Sequence, residues 1–257
     1  MIKRGEMVVK LQNATYYYED ALALDNVTFE INEGEKVVLL GSNGSGKSTL
    51  LRILAGLYFL NKGKYFFNGK VVKKRNVNKE FRKKVGILFQ NPDAMIFNPT
   101  VYDEIAFSLK EFGFDAIDDR VGDIAKKFGI EKLLDKSPLH LSGGEKQKVM
   151  LASILVYNPE FLILDEPTAA MDPRTTGWFM DFIYDLNLTT IIATHDLALG
   201  YELSDRALVM NERHKLIFDG DTEELMKDLQ LLIEANLIHR HKHKHKKFIH
   251  SHYHLHF

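Results

Sequence analysis

One octapeptide constrains this chain more than any other feature. The stretch Gly41-Ser-Asn-Gly-Ser-Gly-Lys-Ser48 satisfies every fixed position of the pattern G-x-x-x-x-G-K-[ST]. A short apolar run, residues 36–41, precedes it, and a segment of helical character, residues 48–55, follows. Glycines let a backbone wrap with its N–H groups inward, and the following helix adds the positive end of its dipole. The stretch therefore predicts a phosphate-binding loop, because a chance Gly/Ser turn would not need those flanks.

Within the predicted loop, each residue type has a chemical task. Lys47 is expected to reach the β- and γ-phosphates of a nucleotide, the Ser48 hydroxyl to hold Mg²⁺, and the Thr49 hydroxyl to contact phosphate. The predicted nucleotide-binding residues are Gly41, Ser42, Asn43, Gly44, Ser45, Gly46, Lys47, Ser48 and Thr49.

A second motif supplies carboxylates. Phe161-Leu-Ile-Leu-Asp165 reads as a buried strand that ends in an acid, and Glu166 follows directly. Asp165 can hold the Mg²⁺ shell, and Glu166 can address an attacking water because its side chain points differently. An isolated acid pair after a strand is more often a helix cap or a solvated turn. Its combination with a phosphate loop favours the catalytic interpretation.

Strands alternate with helices along the chain, which predicts an α/β fold. We expect a P-loop nucleotide-binding core with a mostly parallel sheet, an N-terminal antiparallel β subdomain at 7–35, and an inserted helical subdomain at about 91–158. The other predicted strands are 36–41, a pair at 65–72, 85–90, 160–164, 190–194 and two within 206–218, and the helices are 48–55, 101–136 with breaks at Gly113 and Gly129, 142–157, 174–186 and 221–235.

Composition narrows the function. The net charge of −1 gives no overall electrostatic case for nucleic acid, and the lack of cysteine excludes disulfides, thiolate zinc sites and cysteine nucleophiles. Apolar runs are strand-sized, well short of the ~20 residues of a membrane helix. We expect a soluble cytoplasmic chain that works at a membrane only through a partner.

The stretch Leu141-Ser-Gly-Gly-Glu-Lys-Gln147 decides the class. It opens a predicted helix that Ser142 can cap, and its glycines expose the helix N-terminus. Together with the phosphate loop and the Asp165-Glu166 strand, it resembles the signature sequence of ATP-binding-cassette (ABC) ATPases. The resemblance implies that Ser142, Gly143 and Gly144 bind ATP held by a second ATPase subunit, in a head-to-tail homo- or heterodimer with Mg²⁺ and two nucleotides.

Further elements of the ABC pattern fall in order. Tyr18 resembles the aromatic residue that stacks on adenine, although a strand-surface aromatic is the alternative. Gln90 resembles the glutamine that senses Mg²⁺ and water and couples to the membrane partner. His195 resembles the histidine that contacts the γ-phosphate, and residues 169–172 resemble the loop that communicates across the dimer. Lys148 departs from the pattern, because arginine is common there, which puts any bidentate contact in doubt.

The subgroup is indicated by two stretches. Phe89–Asp93 and Thr100–Phe107 resemble the ATPase subunit of energy-coupling-factor importers, whose substrates include cobalt, nickel and several vitamins. The eight alternating histidines at 239–256 favour the cobalt/nickel type over a vitamin type. The resemblance implies ATP hydrolysis at the cytoplasmic face of the cell membrane, with a transmembrane coupling protein and a substrate-binding membrane component as partners. A vitamin cargo, a soluble ABC ATPase without a membrane component, and a metal-binding regulator that keeps only the nucleotide fold remain alternatives. We expect an ATP-binding domain at 1–235 and a tail at 236–257.

The tail is rich in histidine. In an extended strand, residues two apart lie about 6.6 Å apart on one side, so either half of the tail would line up its imidazoles. The halves could fold as a hairpin, although no two-residue turn signal separates them. A disordered, weakly basic tail and a metal-buffering or sensing segment both fit this composition. The candidate metal ligands are His239, His241, His243, His245, His250, His252, His254 and His256.

Overall fold

The computed structural model of the protein describes residues 6–245 and 248–255, with side chains described for residues 6–238. The chain divides into two compact units. The first contains residues up to 72 together with residues from 191 onward, and the second contains residues 73–190. The first unit is thus discontinuous in sequence, because the second is inserted between its two halves.

An antiparallel sheet opens the first unit. Strands β1 (Met7–Tyr18) and β2 (Ala21–Asn32) pair along their length, as the alternating pattern predicts. After β3 (Lys36–Leu40), strands β4 (Lys62–Phe67) and β5 (Lys70–Val71) complete the four-stranded order β2-β1-β4-β5. Asn68 and Gly69 join β4 to β5 with φ of 46° and 72°, the conformation that their sequence indicates.

A parallel strand pair carries the phosphate loop in the same unit. Strand β3 runs parallel to β9 (Arg206–Met210), with Val38 opposite Ala207, and β10 (Leu216–Asp221) runs antiparallel to β9. The helices of this unit are α1 (Lys47–Leu54), α7 (Leu197–Leu203), α8 (Thr222–Lys227) and α9 (Leu229–Glu234).

Two helical predictions in this unit need correction. The single helix expected over 221–235 is broken at Asp228, whose φ of −94° and ψ of 82° end α8. The Asp228 carboxylate accepts a hydrogen bond from the N–H of Leu231 at 3.0 Å, so this residue starts α9 as well. Helix α7 was not expected from the sequence; it begins because Asp196 accepts from the N–H groups of Ala198 and Leu199.

The second unit contains a parallel strand pair and five α-helices within residues 73–190. Strands β6 (Val85–Leu88) and β7 (Phe161–Asp165) pair in parallel. The helices are α2 (Lys79–Lys84), α3 (Val101–Phe112), α4 (Ile117–Phe128), α5 (Gly143–Leu155) and α6 (Pro173–Asp185). Because α3, α4 and α5 lie between β6 and β7 in sequence, the α/β prediction with a helical insertion is confirmed.

The last elements of the chain form a separate hairpin. Strand β11 (Ile238–His245) pairs antiparallel with β12 (Phe248–Leu255). Earlier in the chain, strand β8 (Thr189–Thr194) begins in the second unit and ends in the first. The side chains of the eight tail histidines, and His256 altogether, lie outside the described residues. In the described part of the chain, the helices are too short or too polar to cross a bilayer.

Candidate functional site

The phosphate loop joins β3 to α1 and depends on glycine at both ends. Gly41 has φ +154° and Gly46 has φ +108°, which side-chain-bearing residues rarely adopt. A Cβ atom at position 41 would lie 2.5 Å from the carbonyl oxygen of Met210, and one at position 46 would collide with the carbonyl oxygen of Ala23. A side chain at either end would therefore force the loop out of this conformation.

The interior of the loop suits an anion. The hydroxyl oxygens of Ser42 and Ser45 are buried and make no hydrogen bond to any described residue. Leaving such a group without a partner costs about 1–3 kcal/mol. Nζ of Lys47, a residue only 6% exposed, donates to the carbonyl oxygens of Gly41 at 2.7 Å and Ser42 at 3.2 Å. Phosphate oxygens would satisfy the hydroxyls and match the cation, so the residues present fit the phosphates of ATP.

The rest of the predicted loop lies at its tip and in the first turn of α1. Asn43 and Gly44 are exposed, Ser48 is half-buried, and Thr49 is buried. The hydroxyls of Tyr18 and Thr49 lie 3.1 Å apart and share a hydrogen bond. This contact was not predicted from the sequence, because 31 residues, which include β2 and β3, separate its members.

Tyr18 belongs to a cluster of three tyrosines. Its ring meets those of Tyr16 and Tyr58 edge-on at 5.0 and 5.6 Å, while Tyr16 and Tyr58 stack at 5.5 Å. Tyr18 remains 38% exposed, so part of its ring is accessible. The cluster fixes the ring of Tyr18 near the start of α1, which leaves the predicted adenine contact sterically possible.

His195 occupies the junction between β8 and α7. It follows Thr194, the last strand residue, and precedes Asp196, which caps α7. The N–H of Asp196 donates a hydrogen bond to the hydroxyl oxygen of Thr194 at 3.1 Å, which fixes the backbone on both sides of His195. Its side chain is half-buried at the carboxyl end of the strand.

The two carboxylates of the second unit lie at the end of β7. Asp165 is 4% exposed and Glu166 is 7% exposed. Leu88 of β6 pairs with Leu164 of β7, so Gln90, which is exposed, follows β6 at the same edge where Asp165 ends β7. Glu166 has φ +46°, an uncommon backbone conformation for a residue with a side chain and one that clusters at functional sites.

The signature stretch begins α5 with a reciprocal cap. The Ser142 hydroxyl oxygen accepts from the N–H of Glu145 at 3.3 Å, and the Glu145 carboxylate accepts from the Ser142 N–H at 2.9 Å and hydroxyl at 2.8 Å. The hydrogen bond from the Ser142 backbone, then that from its hydroxyl, lowers the pKa of Glu145 below its usual value. The start of α5 is thus rigid, with an anionic side chain beside Ser142.

The signature glycines allow a close approach. A Cβ atom at Gly143 would lie 2.5 Å from the carbonyl oxygen of Ala170, and one at Gly144 would lie 2.9 Å from the hydroxyl of Thr175. Asp172 caps α6 by accepting from the N–H of Thr175 at 3.1 Å. The start of α5 therefore packs directly on residues 169–172, the segment predicted to communicate across a dimer.

A cleft of about 500 Å³ opens beside the signature stretch, lined by Ser142, Gly144, Glu145, Lys148 and Thr175 among others. Nζ of Lys148 lies 4.1 Å from the centre of the Trp178 ring. Partial loss of solvent, then the charge of Arg174, lowers the pKa of Lys148. Sequence reasoning did not find Trp178, although it is the single tryptophan of the chain.

An ion pair ties the segment after Gln90 to the signature helix. Nζ of Lys146 lies 2.7 Å from Oδ1 of Asp93, and the lysine side chain is only 15% exposed. The Asp93 N–H also donates to the Asn91 side chain at 3.0 Å. The pair was not predicted, because 53 residues separate its members.

The predicted site residues fall into both units. Tyr18, the loop from Gly41 to Thr49, and His195 belong to the first, and Gln90, Asp165, Glu166 and Ser142–Gly144 to the second. Among the described side chains, no group of three or more histidines, aspartates or glutamates could hold a metal ion by itself. A single carboxylate, such as that of Asp165, suits Mg²⁺ when phosphate oxygens supply further ligands.

Comparisons with known proteins agree with this geometry. The family model described as ABC transporter matches residues 24–169. A Caldanaerobacter subterraneus subsp. tengcongensis protein, named only as an ABC transporter ATP-binding protein, is 45% identical over 91% of this chain and 100% of its own length. The energy-coupling factor transporter ATP-binding protein EcfA of Methanocaldococcus jannaschii is 39% identical, over 90% of this chain and 85% of its own.

A solved structure extends the likeness to three dimensions. The structure of cbiO1 from Clostridium perfringens, described as part of the ABC transporter complex cbiONQ, matches with a TM-score of 0.78 and 34% identity. The match covers 90% of this chain and 95% of that one. Family model, relatives and fold agree, and this chain belongs to the ABC transporter family as an ATPase whose hydrolysis of ATP is coupled to transport.

Proposed function

We propose that this chain is the ATPase subunit of an energy-coupling-factor importer that takes up a transition-metal ion, cobalt or nickel. The observation that carries the importer class is the extent of the likeness to EcfA and to cbiO1, each over nine-tenths of this chain. The metal cargo is supported by the eight alternating histidines at 239–256. The ATP-binding domain spans 1–235, with a helical subdomain at about 91–158, and the tail spans 236–257.

In the proposed reaction, ATP binds between two ATPase subunits. Lys47 and the hydroxyls of Ser42 and Ser45 bind phosphate oxygens, and Tyr18 contacts adenine. Mg²⁺, when bound, neutralises phosphate charge, and Ser48, Gln90 and Asp165 would hold it. Ser142, Gly143 and Gly144 approach the γ-phosphate held by the other subunit.

Hydrolysis is assigned to two further side chains. Glu166 takes the proton of the attacking water or orients that water, and His195 stabilises the charge that develops on the γ-phosphate. Lys47 contributes to the same stabilisation, and Gln90 aligns the water. Because the signature stretch must come from a second subunit, closure of the dimer gates turnover.

The membrane partner docks beside Gln90 in this proposal, so the chain sits peripherally on the cytoplasmic face of the membrane. Phe97 is 64% exposed and meets Phe107 edge-on at 4.7 Å. The buried carboxylate of Glu104 accepts from the N–H groups of Phe97 at 3.1 Å and Asn98 at 2.9 Å, which holds this loop in place. An ordered, exposed aromatic pair suits an apolar helix of a transmembrane coupling protein.

The decisive variant is Glu166→Gln. Removing the proton acceptor while keeping the side-chain shape should lower steady-state ATP hydrolysis by about 10²- to 10⁴-fold, while ATP binding and an ATP-dependent dimer persist. Phosphate release, nucleotide binding and size-exclusion chromatography with ATP measure the three properties. Glu160→Gln is the matched control, since Glu160 precedes β7 and pairs with Lys84 at 2.7 Å. Normal turnover by Glu166→Gln would remove the catalytic assignment.

The cargo is tested separately. Cells that express the chain together with the products of its neighbouring genes should accumulate radioactive cobalt or nickel, and the Glu166→Gln variant should abolish this uptake. Accumulation of a vitamin in place of metal would replace the cargo but keep the importer. If no membrane protein copurifies with this chain from detergent-solubilised membranes, a soluble ABC ATPase becomes the better interpretation.

A further inference from the structure

The hairpin formed by β11 and β12 places histidine opposite histidine. The paired positions are His239 with His254, His241 with His252, and His243 with His250. The last pair of the register is His245 with Phe248, and only two residues lie between them in the sequence. A connection this short restricts the strands to this register. Since strand positions two apart share a face, these six histidine positions lie on one face of a two-stranded ribbon.

The spacing of these positions suits shared ligation. Directly opposed residues of antiparallel strands have Cα atoms about 4.5–5.5 Å apart, and positions two apart along a strand are about 6.6–6.8 Å apart. Positions 241, 243, 250 and 252 therefore form a compact quadrilateral near the middle of the ribbon. Metal–imidazole bonds are about 2.0–2.1 Å long, so one ion can bridge imidazoles on opposed strands.

The ribbon grows out of the folded core. Leu237 and Ile238 are 1% and 4% exposed, and they pack in one apolar cluster with Val38 and Leu40 of β3. The N–H of Leu237 donates to the carbonyl oxygen of Leu232 at 2.9 Å, which fixes the entry into β11. The start of β11 is thus held in place by packing against the first unit.

The available donors define the ion. Residues 239–257 contain eight histidines, five lysines or arginines, and no acid or cysteine. A set of nitrogen donors without carboxylates selects Ni²⁺, Co²⁺, Cu²⁺ or Zn²⁺ over Mg²⁺ and Ca²⁺. Imidazole must be neutral to bind, which it is above its ordinary pKa of about 6.5.

We propose that the β11–β12 ribbon is a binding site for divalent transition-metal ions, built from the opposed pairs His241–His252 and His243–His250. The site is separate from the ATP site and does not rest on the importer assignment. It differs from a histidine-rich tail in one respect, because its affinity depends on which histidines oppose each other and not on how many are present.

A composition-preserving exchange tests that difference. In the variant Ser251→His with His252→Ser, residues 239–257 keep eight histidines, but one moves to the position opposite Lys242 on the other face. Loss of a direct ligand should weaken Ni²⁺ binding by about tenfold or more, since even indirect partners of ligands contribute about 10- to 100-fold. Isothermal titration of NiCl₂ into the full-length protein at pH 7.5 measures it.

The matched control is the exchange Lys244→His with His245→Lys. It also moves one histidine across the ribbon, but from a position opposite Phe248, outside the opposed pairs. Its Ni²⁺ affinity should stay within about twofold of the parent, and ATP binding should be unchanged in both variants. Equal affinity in both variants, whether retained or lost, would overturn the proposal, because binding would then follow composition alone.

Discussion

The contact between the signature stretch and the segment 169–172 gives the sharpest prediction. In Gly143→Ala, the new methyl group would lie 2.5 Å from the carbonyl oxygen of Ala170, where ordinary contacts begin near 3.4 Å. The start of α5 and Ala170 must then separate by about 0.9 Å to restore ordinary contact. Gly143 does not adopt the left-handed backbone conformation, so alanine is not strained by its backbone angles there. The substitution therefore acts through packing alone.

Two opposing effects set the result of this substitution. Alanine gains at most about 1 kcal/mol of helix propensity over glycine, whereas overpacking costs about 1–3 kcal/mol, so a modest net loss of stability is expected. The larger effect is on rate, because a misplacement of about 1 Å near reacting groups can cost about 100-fold. We expect ATP hydrolysis to fall by about this factor while ATP still binds the phosphate loop.

The assay compares phosphate release at saturating MgATP with binding of a fluorescent ATP analogue. Gly177→Ala is the control, because Gly177 is exposed in the interior of α6 and a Cβ atom there would meet nothing within 4 Å. That variant should hydrolyse ATP at the parental rate and unfold at a higher temperature. A parental rate in Gly143→Ala would refute the reasoning, since the close approach to Ala170 would then be irrelevant to turnover.

Two further predictions concern stability. Tyr65→Phe should lower the free energy of unfolding in urea by about 1–2 kcal/mol, because the buried Tyr65 hydroxyl donates to the carbonyl oxygen of Leu54 at 2.8 Å. Tyr201→Phe, at an exposed position, is the control and should leave the free energy of unfolding unchanged. Equal losses of stability in the two variants would contradict this account. The lowered pKa of Glu145 means that its carboxylate adds stability above its ordinary value of 4.5 and loses it as the pH falls through the lowered value. Glu145→Gln can retain the cap without the titration, so its thermal melting should depend less on pH in acid, and an unchanged dependence would count against this assignment.

Local motifs made most of the fold predictable. The phosphate loop, the Asn68-Gly69 turn and the glycines that end α3 and α4 each combine a residue type with a backbone conformation that few others adopt. Boundaries were less certain where a polar residue serves two roles, as Asp228 does between α8 and α9. There the side chain competes with the helix backbone for hydrogen bonds, and propensity alone favours a continuous helix.

The candidate site was predictable in identity but not in its contacts. The residues of the loop and signature follow from pattern, but the pairs Lys146–Asp93, Lys148–Trp178 and Tyr18–Thr49 do not. Each joins segments that the chain brings together only after folding, and nothing in the local spacing of one member marks the other. The histidine register was also undetermined, because two lysines are not a recognised hairpin turn.

The discontinuity of the first unit has a consequence for synthesis. Strand β3, which leads into the phosphate loop, pairs with β9, and all residues from 73 to 190 are translated between them. At about 5–20 residues per second, the ribosome needs on the order of 10 s to deliver the partner strand. During that interval β3 presents an apolar edge without its partner strand β9. The nascent chain is then most exposed to aggregation and benefits most from a chaperone. Tight ATP binding by a nascent chain would therefore report that its C-terminal residues have emerged.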